Sequence, residues 1–320
     1  MIIFLTGHRK SGTTLLLRLF DSHPDIDVYP TDLSLFYQYF PYYTNNYTDR
    51  QFLIKKIISI LDKTINKHYL NQNLIHKDKI KILNSKLKKK LKNINLKSKK
   101  DIFNKILDHW ENLNGKKLKK IIVVKETSQS IYFDEYLKIF KNLKMINIVR
   151  DPRDNYASIK SGLKKYYSKL GIDYLQNLAN VLFRSRQDLL STHYNRKHKN
   201  FTFINYENLV MSPEKIMRKL CLFLNIRFDN ALVNPTLGIK KFRGNNFDYK
   251  INGINKKNRN NWKNRITAEE QHIIEFYCSD VMKMFNYKTS KNLKKLKLDF
   301  SRFNDDINSR YFFVDSNKKK

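Results

Sequence analysis

The stretch that most constrains this chain is its first twenty residues, which read as a short buried strand, a tight loop and an amphipathic helix in direct succession. Ile2 to Leu5 is a continuous apolar run closed by Gly7, the pattern of a strand covered on both faces. Leu15, Leu16, Leu19 and Phe20 share one face at helical spacing. Only small or basic residues lie between, so backbone N–H groups can converge on an anion at the start of the helix. The alternative is a plain glycine turn feeding a buried helix. Gly7 and Gly12 are spaced as in a nucleotide-triphosphate loop, G-x-x-x-x-G-K-[ST], but Thr13 stands where that loop has its lysine. A lysine sits inside the loop instead, at Lys10. A cradle of this kind suits a phosphate ester other than a triphosphate.

A second anion site is legible at residues 150–158. Met145 to Val149 reads as a buried strand ending in Arg150. Asp151 is suited to cap a following helix, Pro152 fits its first position, and Asp154 sits where a capping-box acid would. The helix start lies beside Arg150, and Ser158, two turns on, can add a hydroxyl. Other buried strands are expected at 121–124, ending in Lys125-Glu126-Thr127, and at 201–204. A short extended segment, 26–33, carries Asp32 at its end, as acid/base group or as N-cap of a helix over 33–40. Strands alternating with helices, each ending in a charged residue, predict an α/β fold: a mainly parallel central sheet flanked by helices in three layers.

Residues 49–120 switch to helical periodicity and read as a helical insertion, with a lysine-rich run at 86–92 whose simplest account is a solvated face. The aromatic residues between Tyr29 and Tyr47 could wall a pocket or simply pack. Residues 252–261 form a polar loop with Lys256 and Lys257, a last helix is expected from Thr267 to about Phe285, and 288–320 is a lysine-rich tail. The expected division is one domain over 1–287, with the insertion inside it, and the tail.

The formal net charge of +34 implies attraction to polyanions, but lysine, asparagine and isoleucine are abundant throughout, so composition alone says little about the partner. No nucleic-acid recognition motif accompanies the charge. Cys221 and Cys278 are too few for a disulfide framework and lack metal-ligand spacing. With no leader pattern and no apolar run of membrane-spanning length, the expectation is a cytoplasmic protein beginning at Met1.

Taken together, Lys10-Ser11-Gly12-Thr13-Thr14 and Arg150-Asp151-Pro152-Arg153-Asp154 with Ser158 resemble the sulfotransferases that use 3′-phosphoadenosine-5′-phosphosulfate, proteins with a P-loop-like fold. The resemblance covers most of 1–287 outside the insertion. It implies that the first element is the 5′-phosphosulfate loop, with Arg9 at its edge, and that Arg150 and Ser158 hold the 3′-phosphate. Lys125 matches a lysine ending the family's next strand, and Tyr206-Glu207 and Trp262-Lys263-Asn264 match later elements. Two features depart from the members acting on phenols and steroids. Asn255, Lys256 and Lys257 replace an Arg-Lys-Gly capping loop, and Thr127 replaces a histidine base. In carbohydrate and tyrosine sulfotransferases the base is a glutamate near the end of the second strand, close to Asp32.

The implied enzyme transfers a sulfuryl group from that donor to a hydroxyl or amine acceptor, expected to be carbohydrate-like, without a metal, leaving adenosine 3′,5′-bisphosphate. Lys10, Lys125 and Asp32 are the expected catalytic residues, with Glu126 the second candidate base and His8 and His23 weaker ones. Arg9, Lys10, Ser11, Gly12, Thr13, Thr14, Arg150, Ser158, Tyr206, Lys256 and Lys257 are the expected donor-binding set. The rival is a P-loop NTP-dependent kinase, which needs the lysine that Thr13 replaces.

Overall fold

A computed structural model describes residues 1–36, 49–162, 174–237, 240–242 and 253–290. Its centre is a five-stranded, wholly parallel sheet built from β1 (Ile2–Thr6), β2 (Ile26–Asp32), β3 (Ile121–Lys125), β4 (Leu143–Val149) and β5 (Phe201–Asn205), in the order β2-β3-β1-β4-β5. These are the strands legible in the sequence, each within two residues of its expected bounds. β1 lies at the middle, and the chain leaves it toward one edge before returning to the other. That reversal opens a crevice beyond the carboxyl end of β1, where such sheets bind ligands.

Alternation along β1 divides the core. Ile3 and Leu5 pack with α1 (Thr13–Phe20) through Leu16, Leu19 and Phe20, while Phe4 faces the opposite layer. There it meets Phe36, Phe103, Tyr136 and Phe140 at ring separations of 4.6–6.0 Å. Phe103 belongs to the expected insertion, whose helices are α2 (Arg50–Leu61), α3 (Lys67–Asn71), α4 (Lys77–Lys92) and α5 (Lys99–Asn114). The insertion therefore shares a core with the sheet. On α4, Ile80, Leu83, Leu87 and Leu91 are buried and its lysines are exposed, as a solvated face requires.

The chain continues with α6 (Phe133–Ile139), α7 (Pro152–Gly162) and α8 (Tyr174–Asn195). After β5 come α9 (Tyr206–Met211), α10 (Pro213–Leu224), the two-residue strands β6 (Thr236–Leu237) and β7 (Lys240–Lys241), and α11 (Ala268–Met284). Helices α7, α8 and α11 close a third apolar cluster around Tyr156, Val181, Ile274 and Cys278. Burial raises the Cys278 thiol to about 12. Among the described residues no helix is long and apolar enough to cross a membrane. The helix expected from residue 33 does not start there, since residues 33–35 are non-helical and Ser34 takes a positive φ of 52°; its remainder over 37–40, the aromatic residues 37–47 and the tail beyond 290 lie outside the described residues.

One further local expectation changes. Asp154 does not close a capping box: its oxygens accept from Asn260 N at 2.7 Å and Trp262 N at 3.0 Å, so the carboxylate anchors a distant loop. Asp151 does cap α7, accepting from Arg153 N at 2.9 Å.

Candidate active site

The loop after β1 folds tightly because three residues take positive φ: Gly7, Lys10 (66°) and Gly12 (107°). Ser11 N donates to His8 O at 3.0 Å and locks the turn. Gly12 brings no side-chain cap to α1, so the opening amides of the helix face outward unclaimed by a capping group. A side chain at Gly12 is sterically forbidden, since an added Cβ would stand 2.3 Å from the ring of Tyr206. Gly12→Ala is expected to destabilise the fold by about 1–2 kcal/mol from backbone conformation alone, more from the clash, read as a lower melting temperature. Melting like the parent would mean that Tyr206 does not pack there.

Arg150 leaves the end of β4 and is 5 % exposed. Its Nη1 donates to the carbonyl of Lys10 at 2.8 Å, its Nη2 to the carbonyl of Asn258 at 3.0 Å, and the guanidinium stacks on Tyr206 with 4.4 Å to the ring centroid. Asn258 Nδ2 also donates to the Tyr206 hydroxyl at 2.8 Å. Burial raises the Tyr206 phenol above its ordinary range, so it stays neutral. Beneath this layer Asp151, whose carboxyl burial pushes upward against the pull of Arg153, is clasped by that arginine at 2.6 Å. Arg153 also reaches Glu275 at 2.6 Å and covers the Trp262 ring. Glu207 accepts from Asp151 N at 3.1 Å and is itself pushed up by burial.

On the other side of β1, Lys125 and Asp32 form a 2.6 Å ion pair between the ends of β3 and β2. Lys125 Nζ is 3.4 Å from Thr14 Oγ1, and Thr127 Oγ1 donates to Asp32 Oδ2 at 3.3 Å. Asp32 keeps 31 % of its side chain exposed. Glu126, the second candidate base, is wholly buried; burial first, and then the nearness of Glu126, holds the Tyr29 and Tyr136 hydroxyls well above their usual range.

The other expected residues fall as follows. Thr13 is buried at the head of α1, Arg9 is half-buried at the loop's entrance, and Ser158 is half-buried on α7. Lys256 and Lys257 are exposed on the loop that carries Asn258. His23 is buried away from the crevice, its Nε2 2.9 Å from Arg227 O. The His8 ring is buried with both nitrogens unpartnered and its basicity lowered, first by burial. Asn258, which meets Arg150 and Tyr206, and Asp188, which accepts from His8 N of the phosphate loop, were not singled out in the sequence. Asn258 sits in an aperiodic polar run with many other asparagines, and Asp188 lies mid-helix with no local pattern.

The donor inferred from the sequence carries an anion at each end, and the residues present fit it. Ser11 Oγ and Arg150 Nε are buried with no hydrogen-bond partner, one in each proposed anion site. Among the described residues, the crevice also gathers Lys10 and Lys125 around an uncapped helix start.

Comparison with known proteins bears on the fold that carries this crevice. The sulfotransferase family model matches residues 3–230. A sulfotransferase domain from the curacin biosynthetic pathway superposes with a TM-score of 0.60 at 19 % identity, covering 90 % of this chain and 98 % of that one. The sulfotransferase domain of the Synechococcus PCC 7002 olefin synthase gives 0.58 at 18 % identity, covering 90 % and 95 %. Mouse sulfotransferase SULT7A1, complexed with PAP, gives 0.50 at 16 % identity, covering 88 % and 84 %. No curated protein sequence matches the chain.

Proposed function

This chain belongs to the sulfotransferase family, and on that premise we propose that it transfers a sulfuryl group from 3′-phosphoadenosine-5′-phosphosulfate to the hydroxyl of a carbohydrate-like acceptor. The observation that carries the reading is the joining of two anion-binding elements: the uncapped start of α1 and Arg150, tied together at the Lys10 carbonyl. One such element alone would suit any phosphate. Two at a fixed separation suit a nucleotide with negative groups at opposite ends, as in the PAP bound by mouse SULT7A1.

When bound, the donor supplies the sulfuryl group and departs as adenosine 3′,5′-bisphosphate. Ser11 to Thr14 would hold the 5′ end through main-chain amides and hydroxyls, with Lys10 adding positive charge where negative charge grows during transfer. Arg150 and Ser158 would hold the 3′-phosphate, with Lys256 and Lys257 reaching over from the loop and Tyr206 backing both Gly12 and Arg150. Asp32 takes the proton from the acceptor hydroxyl, and Lys125, which it holds beside Thr14, keeps positive charge at the reacting group. Asp32 is preferred to Glu126 as base because it is partly open to the crevice whereas Glu126 is sealed. A carboxylate base at the end of β2 is also what directs the reading toward a carbohydrate-like acceptor.

Arg150→Ala tests the donor assignment. Loss of a charge-assisted contact is worth about 1.5–3 kcal/mol, so calorimetry with adenosine 3′,5′-bisphosphate should show affinity falling by roughly 10- to 100-fold. Affinity equal to the parent would remove Arg150 from the donor site.

A further inference from the structure

We propose that Asp188, on α8, is a positioning residue that ties the phosphate loop to the sheet through the main-chain amide of His8; its link to donor binding rests on the function proposed above. This bond comes to the loop from a residue 180 positions away in sequence. Asp188 Oδ2 accepts from His8 N and from Asn147 Nδ2 of β4, each at 3.3 Å, and Oδ1 accepts from Ser130 Oγ at 2.8 Å. Ser130 opens the turn after β3, and its carbonyl is held in turn by Asn195 Nδ2 at 3.0 Å. One carboxylate thus gathers the segments following β1 and β3, and β4 itself, directly behind the crevice. On the same side, Ser128 N reaches the carbonyl of Gly7 at 3.0 Å and Gln129 N reaches Thr6 Oγ1 at 2.8 Å, so the loop's base is sewn to the β3 turn at three points.

The carboxylate is an expensive choice for a merely structural peg. Asp188 is 5 % exposed and among the described residues no ion pair reaches it; its hydrogen-bonding neighbours offer neutral donors, and burial pushes its carboxyl up to about 6. A buried acid of this kind lowers stability once ionised. Its folded value lies above the unfolded one, so the contribution is present below the unfolded value and is lost as pH rises through about 6. What the chain gains is an acceptor with three convergent lone-pair directions at the one place where a loop amide must be held.

Two substitutions separate the hydrogen-bond tie from the charge. In Asp188→Asn the amide oxygen can still accept from His8 and Asn147 while the amide nitrogen donates to Ser130 Oγ. In Asp188→Ala the His8 amide loses its acceptor. Hydrogen exchange of the amides in residues 6–14, measured without nucleotide, should accelerate in the alanine variant and stay near the parent in the asparagine variant. Calorimetry with adenosine 3′,5′-bisphosphate should show roughly 10-fold or greater loss for Asp188→Ala and recovery to within about 3-fold for Asp188→Asn. Asp188→Ser, whose hydroxyl is too short to reach His8, carries the same test if the alanine chain does not fold. Unchanged exchange, or unchanged affinity, in the alanine or serine variant overturns the tie. An asparagine variant as weak as alanine overturns it too, by assigning the effect to charge. If the parent itself fails to bind the bisphosphate, the donor assignment fails, and the exchange result still judges the tie.

Discussion

Asp32→Asn is expected to lower turnover by roughly 10²–10⁴-fold, the range for removing a general base, while leaving affinity for adenosine 3′,5′-bisphosphate near that of the parent. The substitution is close to isosteric. An amide oxygen can still meet Lys125 Nζ, now at 2.6 Å from the carboxylate, and the amide can still meet Thr127 Oγ1. What it cannot do is take a proton. Because Asp32 stands at the end of β2, two strands away from β1 and further from Arg150, the donor site should hardly notice the change. The measurement is transfer of labelled sulfuryl to a panel of hydroxyl acceptors, alongside calorimetry with the bisphosphate. A rate equal to the parent's would strike Asp32 from the mechanism. A rate loss accompanied by an equal loss of nucleotide affinity would point to a structural role through Lys125 instead.

Lys10→Ala should cost about 10²–10³-fold in turnover, the scale of losing one preorganised positive or hydrogen-bonding group at a site of developing charge. The variant isolates the side chain well. Lys10 already occupies a positive φ of 66°, which alanine tolerates no better and no worse than lysine, so the loop keeps its shape. The carbonyl that Arg150 holds belongs to the backbone and survives the substitution. The ammonium group should therefore be missed chiefly during transfer, and bisphosphate affinity should fall far less than the rate. A variant losing affinity and rate in equal measure would make Lys10 a ground-state contact only.

Much of this arrangement could be seen in the residues alone, for definite physical reasons. Strands buried on both faces write themselves as unbroken apolar runs, so β1 and β3 were readable directly, and β4 and β5 through apolar runs broken only by one or two polar residues. Gly7 and Gly12 marked the loop because only glycine fits where the backbone turns against Ile148 and Tyr206. Asp154 was misread because a capping box and a long-range anchor ask for the same residue three places into a helix; which one forms depends on residues 260–262, a hundred positions on. The Lys125–Asp32 pair needed the order β2-β3-β1, which periodicity does not give. Asp188 was invisible for a similar reason: its partners His8, Ser130 and Asn147 lie 41 to 180 residues away in sequence. The shared core between Phe4 and Phe103 was missed because an apolar helical face does not say which other face will cover it.

The contact between Arg150 and the Lys10 carbonyl works as a caliper. With one jaw at the head of α1 and the other at a guanidinium held by two peptide carbonyls and an aromatic ring, the spacing of the two ends is set by bonds from the Arg150 side chain to the backbone. On the function proposed above, a donor would be measured along its length before any chemistry begins. A mononucleotide lacking the far charge would engage a single jaw, and one with an added phosphate at the near end would overrun it.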